Sequence, residues 1–174
     1  MLKIYANTWG NYNTNGADGG RWIELPMDED ELDELLEEIA EAMGDPDPEW
    51  FINDYEWTGD EFGKVEELDN IRELNEKCQA IADLDEWQLE VYAAAVEYWG
   101  DKYVDIDDLD DYILCSDIRD EYDLGYYWAH ESGCYDLDKM GHLANYFDYE
   151  AFGRDINLET DGGFTSYGFI ERAR

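Results

Sequence analysis

Positive charge is what this sequence has least of: 11 Lys and Arg stand against 47 Asp and Glu, a formal net charge of -36 over 174 residues. A chain so poor in bases cannot hold a phosphate backbone or an anionic membrane surface as its main activity, because both need clustered Lys and Arg. Cysteine is scarce as well. Cys78, Cys115 and Cys134 are odd in number and form no C-x-x-C pair, which argues against a disulfide framework or a zinc ribbon. No apolar run approaches the roughly 18 residues of a membrane span. The start, Met1-Leu2-Lys3-Ile4-Tyr5, turns polar at once and lacks the apolar stretch of a signal peptide, so a cytoplasmic location is expected. With 3 Pro and 15 Gly, the chain is neither fibrous nor of low complexity.

Core-forming material is present in quantity. Apolar residues make up 44% and aromatics 16%, including 7 Trp and 14 Tyr, far more than a solvated acidic tail carries. The acids must therefore clothe a folded body, where they repel one another. Such a charge suits either a salty environment or a basic partner.

The first quarter reads as strand, loop, strand, helix, strand. Leu2 and Ile4 alternate with polar positions up to a Gly- and Asn-rich turn over residues 10–20, and Trp22 to Leu25 forms a second strand stopped by Pro26. Asp28 and Glu31 form a capping box for a helix whose Leu32, Leu35, Leu36, Ile39 and Met43 make one apolar stripe, with Gly44 as its stop. Phe51 to Trp57 reads as a third strand. Val65, Leu68, Ile71, Leu74, Cys78 and Ile81 mark an amphipathic helix, and Trp87, Val91, Ala94, Ala95 and Tyr98 another, ended by Gly100. Ser116-Asp117 is read as the cap of a helix reaching about Ser132. One or two short helices follow across Leu137 to Phe152, and the alternating tail from Arg154 to Glu171 suggests a hairpin about Asp161-Gly162-Gly163. The fold class expected is α+β in three small domains, with strands in the first and last and helices in the middle. The boundaries are 1–59, 60–103 and 104–174.

From Asp28 to Glu41 there are nine acids and no base. A helix rises 1.5 Å per residue, so this segment carries one negative charge per ~2–3 Å of axis, against about 1.7 Å for B-DNA. The two linear densities are of the same order. Asp105 to Asp123 repeats the pattern, with nine acids against Arg119 alone. A charge run is ordinarily a solvated helix face, but here several coincide with aromatic-rich cores and a very high total. The candidate partner-binding acids are Asp28, Glu29, Asp30, Asp33, Glu34, Glu37, Glu38 and Glu41 on the first run. On the second they are Asp105, Asp107, Asp108, Asp110, Asp111, Asp120 and Glu121.

Catalytic and metal chemistry finds little footing. An EF-hand loop begun at Asp105 meets Leu109 and Asp110 at its fifth and sixth positions, and one begun at Asp155 meets Thr160 where Gly is required. His130, Cys134, His142 and Cys115 match no zinc spacing. Two of the 47 acids could meet in a glycosidase cleft, yet nothing singles out a pair. There is no P-loop, no GxSxG and no GxGxxG opening a helix. The chain reads as a binding protein without catalytic residue, metal or cofactor, binding neither nucleic acid nor membrane. Three readings remain open at this point: a DNA mimic, an acidic chaperone or assembly factor for a basic protein, and a salt-adapted protein of unrelated function.

Ordered landmarks along the chain narrow the choice. They are Ile4-Tyr5, Tyr12-Asn13 and Gly20 to Pro26 in the first part, then Ile52 to Glu56 and Leu68 to Asn75. Later come Ser116-Asp117, Tyr122 to Tyr127, Glu131-Ser132-Gly133 and Asn145 to Asp155. In this set the chain resembles the ArdA family of antirestriction proteins, DNA mimics carried by mobile elements and phages. The resemblance implies an elongated protein of three small domains that forms a homodimer through the C-terminal one. It also implies that the protein occupies the DNA-binding groove of type I restriction-modification enzymes, formed by their specificity and modification subunits, and so blocks restriction and in some cases modification. The segment called the antirestriction motif corresponds to about Asp120 to Gly133. Tyr126, Tyr127, Trp128 and Glu131 within it are the candidate dimer contact, with filling of the domain core as the alternative for the three aromatics.

Overall fold

A computed structural model describes residues 1–133 and 137–173; Cys134, one of the four residues weighed as zinc ligands, lies outside them. The chain is α+β and divides into two compact units, Met1–Asp85 and Glu86–Arg174. In the first unit, β1 (Leu2–Thr8) runs between β2 (Arg21–Leu25) and β3 (Trp50–Trp57), both antiparallel to it. The strand period of two sends Leu2, Ile4 and Ala6 to one face, where they meet Ile23, Leu25 and Ile52 in a buried cluster. The intervening residues face outward. Lys3 pairs with Glu24 at 2.7 Å, and the Tyr5 ring lies 5.2 Å from that of Trp22. A register shift at Tyr5/Ala6 leaves Asn53 of β3 without a partner on β1.

The apolar face of this sheet is covered by α2 (Glu29–Met43) and by α3 (Ile71–Ala82), which contribute Leu32, Leu36, Ile39, Ile71 and Cys78 to the same core. Helix α2 starts and stops where the sequence places it. The Asp28 carboxylate accepts from the Asp30 N–H at 3.0 Å, and Gly44 adopts the left-handed conformation with φ 72°. Helix α3 starts later than the apolar spacing suggests. Asn70 caps it by accepting from the Arg72 N–H at 2.9 Å, so Val65 reaches the core from an irregular segment and Leu68 is 72% exposed. The buried Asn75 side chain clasps Met27 with two bonds, donating to its carbonyl at 2.8 Å and accepting from its N–H at 2.9 Å. That clasp ties α3 to the connection leading into α2. The Gly/Asn-rich stretch read as a turn begins instead with a helix, α1 (Trp9–Asn15). Thr8 caps it, accepting from the Asn11 N–H at 3.2 Å, and Asn11 in turn donates to Asn7 and to the Gly19 carbonyl.

The second unit begins with α4 (Glu86–Trp99) and holds another antiparallel sheet. Its strands are β4 (Tyr112–Cys115), β5 (Gly162–Thr165) and β6 (Gly168–Arg172), with β6 between the other two. Val91 to Val96 of α4 are all buried, whereas Trp87 and Tyr98, assigned to its apolar stripe from the sequence, are 52% and 44% exposed. The terminal hairpin exists, but its turn lies at Ser166-Tyr167, and Asp161-Gly162-Gly163 leads into it. The start of that alternating tail, residues 154–159, is the second half of α6 (Tyr149–Glu159).

Helix α5 (Glu121–His130) starts at an Asp120 cap rather than at Ser116-Asp117. It crosses α6 at Gly125 and Gly153, where the backbones touch: a methyl group at Gly125 would overlap the carbonyl of Tyr149, and one at Gly153 that of Glu121. Ile118, Leu124 and Phe169 form the core of this corner. No helix among the described residues is long and apolar enough to cross a membrane.

Candidate functional site

Among the Asp and Glu whose side chains the structure describes, none is buried. The helical period accounts for this on α2. Leu32, Leu36 and Ile39 turn inward, so Asp30, Glu34, Glu37, Glu38 and Glu41 fall on the opposite side, spaced three and four residues apart and exposed. From Asp30 to Glu41 this stripe is ~16 Å long at 1.5 Å per residue. Glu29 is exposed in the first turn, where acids complement the helix dipole.

Not every acid of the run is available to a partner. Asp28 is the cap, and Asp33 is tied to the Arg72 guanidinium at 2.7 Å. In the second unit, Asp105, Asp107, Asp108, Asp110 and Asp111 are exposed on a 3-10 segment (Ile106–Asp111) that Asp105 caps and Leu109 anchors. Asp120 is the cap of α5, and Glu121 meets Arg154 of α6 at 3.2 Å. The fifteen candidates thus divide into ten exposed acids without such duties and five that also cap or cross-link the fold: Asp28, Asp33, Asp105, Asp120 and Glu121. Glu73, Glu76 and Asp83 are further exposed acids of the first unit that the sequence did not single out. No three His, Cys, Asp or Glu side chains among the described residues gather closely enough to hold a metal ion.

The candidate dimer residues separate by environment. Tyr126 is 43% exposed and Glu131 is exposed, while Tyr127 and Trp128 are partly buried against the Ile118, Leu124 and Phe169 cluster. Tyr126 belongs to an aromatic row. Tyr122 lies one turn before it at 6.5 Å, His130 one turn after at 4.5 Å, and Tyr149 of α6 flanks all three at 5.5 Å. The His130 ring Nε2 and the Tyr149 hydroxyl share a hydrogen bond of 2.8 Å. The i, i+4, i+8 spacing of Tyr122, Tyr126 and His130 was visible in the sequence; the contribution of Tyr149 needed the α5–α6 crossing.

The geometry offers two acid-bearing surfaces, one in each unit, and a half-exposed aromatic row in the second. Comparison with the curated proteins finds no match. A family model described as antirestriction protein (ArdA) matches residues 4–171, nearly the whole chain.

Proposed function

The chain belongs to the ArdA family of antirestriction proteins, and from that membership we propose that it acts as a DNA mimic on type I restriction-modification enzymes. Its exposed carboxylates take the place of phosphates in the enzyme's DNA-binding groove, meeting the Lys and Arg of the specificity and modification subunits. The observation that carries this reading is the distribution of charge: none of the acids whose side chains are described is buried, and α2 lays five of them along its outer face, one per ~3–4 Å of axis, about half the linear density of a duplex and of the same order. Because no base edge is displayed, the inhibitor is indifferent to the sequence that the enzyme recognises. Attraction between unlike surfaces also speeds the encounter at low salt. The protein works as a homodimer in the cytoplasm, with Tyr126 and Glu131 in the contact, since these two of the four candidates are accessible.

Cells carrying a type I system provide the test. Expression of this chain is expected to raise the survival of an unmodified incoming plasmid. A variant with Glu34, Glu37, Glu38 and Glu41 reversed to Lys is expected to lose most of that protection while remaining folded. Full protection by the folded variant would exclude α2 from the contact.

A further inference from the structure

Beside the acidic row, the flank of α2 forms one wall of an open groove of about 750 Å³ within the first unit. Its apolar lining comes from Leu36, Ala40, Pro46, Pro48 and Trp50, and Asp45 lines it as well, its carboxylate accepting from the Thr8 hydroxyl at 2.7 Å. Its rim carries Asp33, Glu37 and Glu41, which follow one another at intervals of four residues, about 6 Å apart along the axis. One end of the rim is already occupied by a cation of the chain's own: the Arg72 guanidinium lines the groove and donates from Nε to Asp33 at 2.7 Å.

We propose that this groove is the anchor point of the inhibitory surface, receiving an arginine side chain of the target whose stem lies against Pro46, Pro48 and Trp50 and whose guanidinium is held between Glu37 and Glu41. The proposal rests on the DNA-mimic reading for the identity of the target and adds to it a point where the contact is shaped rather than only charged. Charge and form both favour this occupant. Long basic side chains cover apolar surface with their methylenes while keeping the charged head among polar groups. A planar guanidinium pairs with carboxylates in a fixed fork geometry that a diffuse field does not require. The Asp33–Arg72 pair shows the same helix face holding a guanidinium one turn earlier. The target's arginine on Glu37 and Glu41 would continue that row.

The full-length protein, labelled for NMR, is titrated with N-acetyl-arginine amide, and with N-acetyl-citrulline amide as the uncharged isostere. The arginine compound is expected to shift the Trp50 indole and the amides of residues 36–48 saturably, and the citrulline compound to leave them unmoved. Glu37→Gln with Glu41→Gln is expected to weaken the arginine response about tenfold. A charge-matched pair at the exposed Asp60→Asn and Glu61→Gln leaves it within about twofold. Shifts spread evenly over the acidic residues, or equal losses in the two double variants, would overturn the proposal. The same two variants are then compared in displacing duplex from a type I methyltransferase core. If wild type displaces the duplex and the two variants are equally impaired, the anchor falls and mimicry stands. If wild type fails to displace it, mimicry falls, and the NMR titration still decides the groove.

Discussion

At the scale of single residues, the acids differ in what they are held by. Asp33 and Glu121 are tied to Arg72 and Arg154, so removing either carboxylate takes away a cross-link as well as a charge. Both pairs are substantially exposed, and exposed pairs contribute only about 0–1 kcal/mol. The glycines at the α5–α6 crossing matter more. Gly125→Ala forces a methyl into the Tyr149 carbonyl, and since backbone rather than a flexible side chain must yield, a loss of about 1–3 kcal/mol is expected in urea unfolding. A variant as stable as wild type would show that the helices can part at no cost. Cys78 gives a pH prediction. Burial raises its thiol to about 11 from an ordinary 9.0. The unfolded chain therefore releases this proton first, and the contribution is present below pH 9 and lost as pH rises towards 11. Comparing the pH dependence of wild type with Cys78→Ala between these limits is expected to show a steeper loss in wild type.

At the scale of elements, α2 combines a good design for folding with a poor one for charge. Its cap, its glycine stop and its apolar stripe all agree, but its outer face sets Glu34 four residues from both Asp30 and Glu38. Each such like-charge pair destabilises a helix by roughly 0.2–0.5 kcal/mol. Replacing Glu34 and Glu38 by Gln is thus expected to raise the Tm at low salt while weakening inhibition. A rise in Tm with inhibition unchanged would mean that these acids serve no partner. The same helix was legible in the sequence because its signals are local: a cap, a period and a stop within seventeen residues. Elements held by distant partners were not. Helix α1 looks like a turn because Gly, Asn and Thr dominate it, and its stability comes from the Thr8 cap and a buried Asn7–Asn11 network. Strand β4 passed unseen because four residues between an acidic run and a Ser-Asp turn carry little pattern; pairing with β6 makes it a strand. Likewise the acids of the site could be read from composition, but the division between exposed acids and those tied to Arg72 or Arg154 depends on contacts 39 and 33 residues apart in sequence.

For the molecule as a whole, a net charge of -36 is a standing cost to the compact state. Screening relieves it, with a Debye length of about 10 Å at 0.1 M salt. The Tm is therefore expected to rise with salt, yet a protein built to act on a DNA enzyme must already be folded at ordinary ionic strength. Loss of the circular dichroism signal at ~0.1 M salt would favour the salt-adapted reading. Inhibition is expected to move in the opposite direction from stability, weakening as the same screening separates inhibitor from enzyme. The central claim is tested most directly by a displacement titration. A type I methyltransferase core holds a fluorescent duplex bearing its site, and this protein is added at moderate salt. Mimicry predicts displacement near stoichiometric concentrations, weaker at higher salt and equal for a second enzyme with a different recognition sequence. A folded sample that displaces neither duplex would contradict it and turn attention to a basic protein that is not a DNA-groove enzyme.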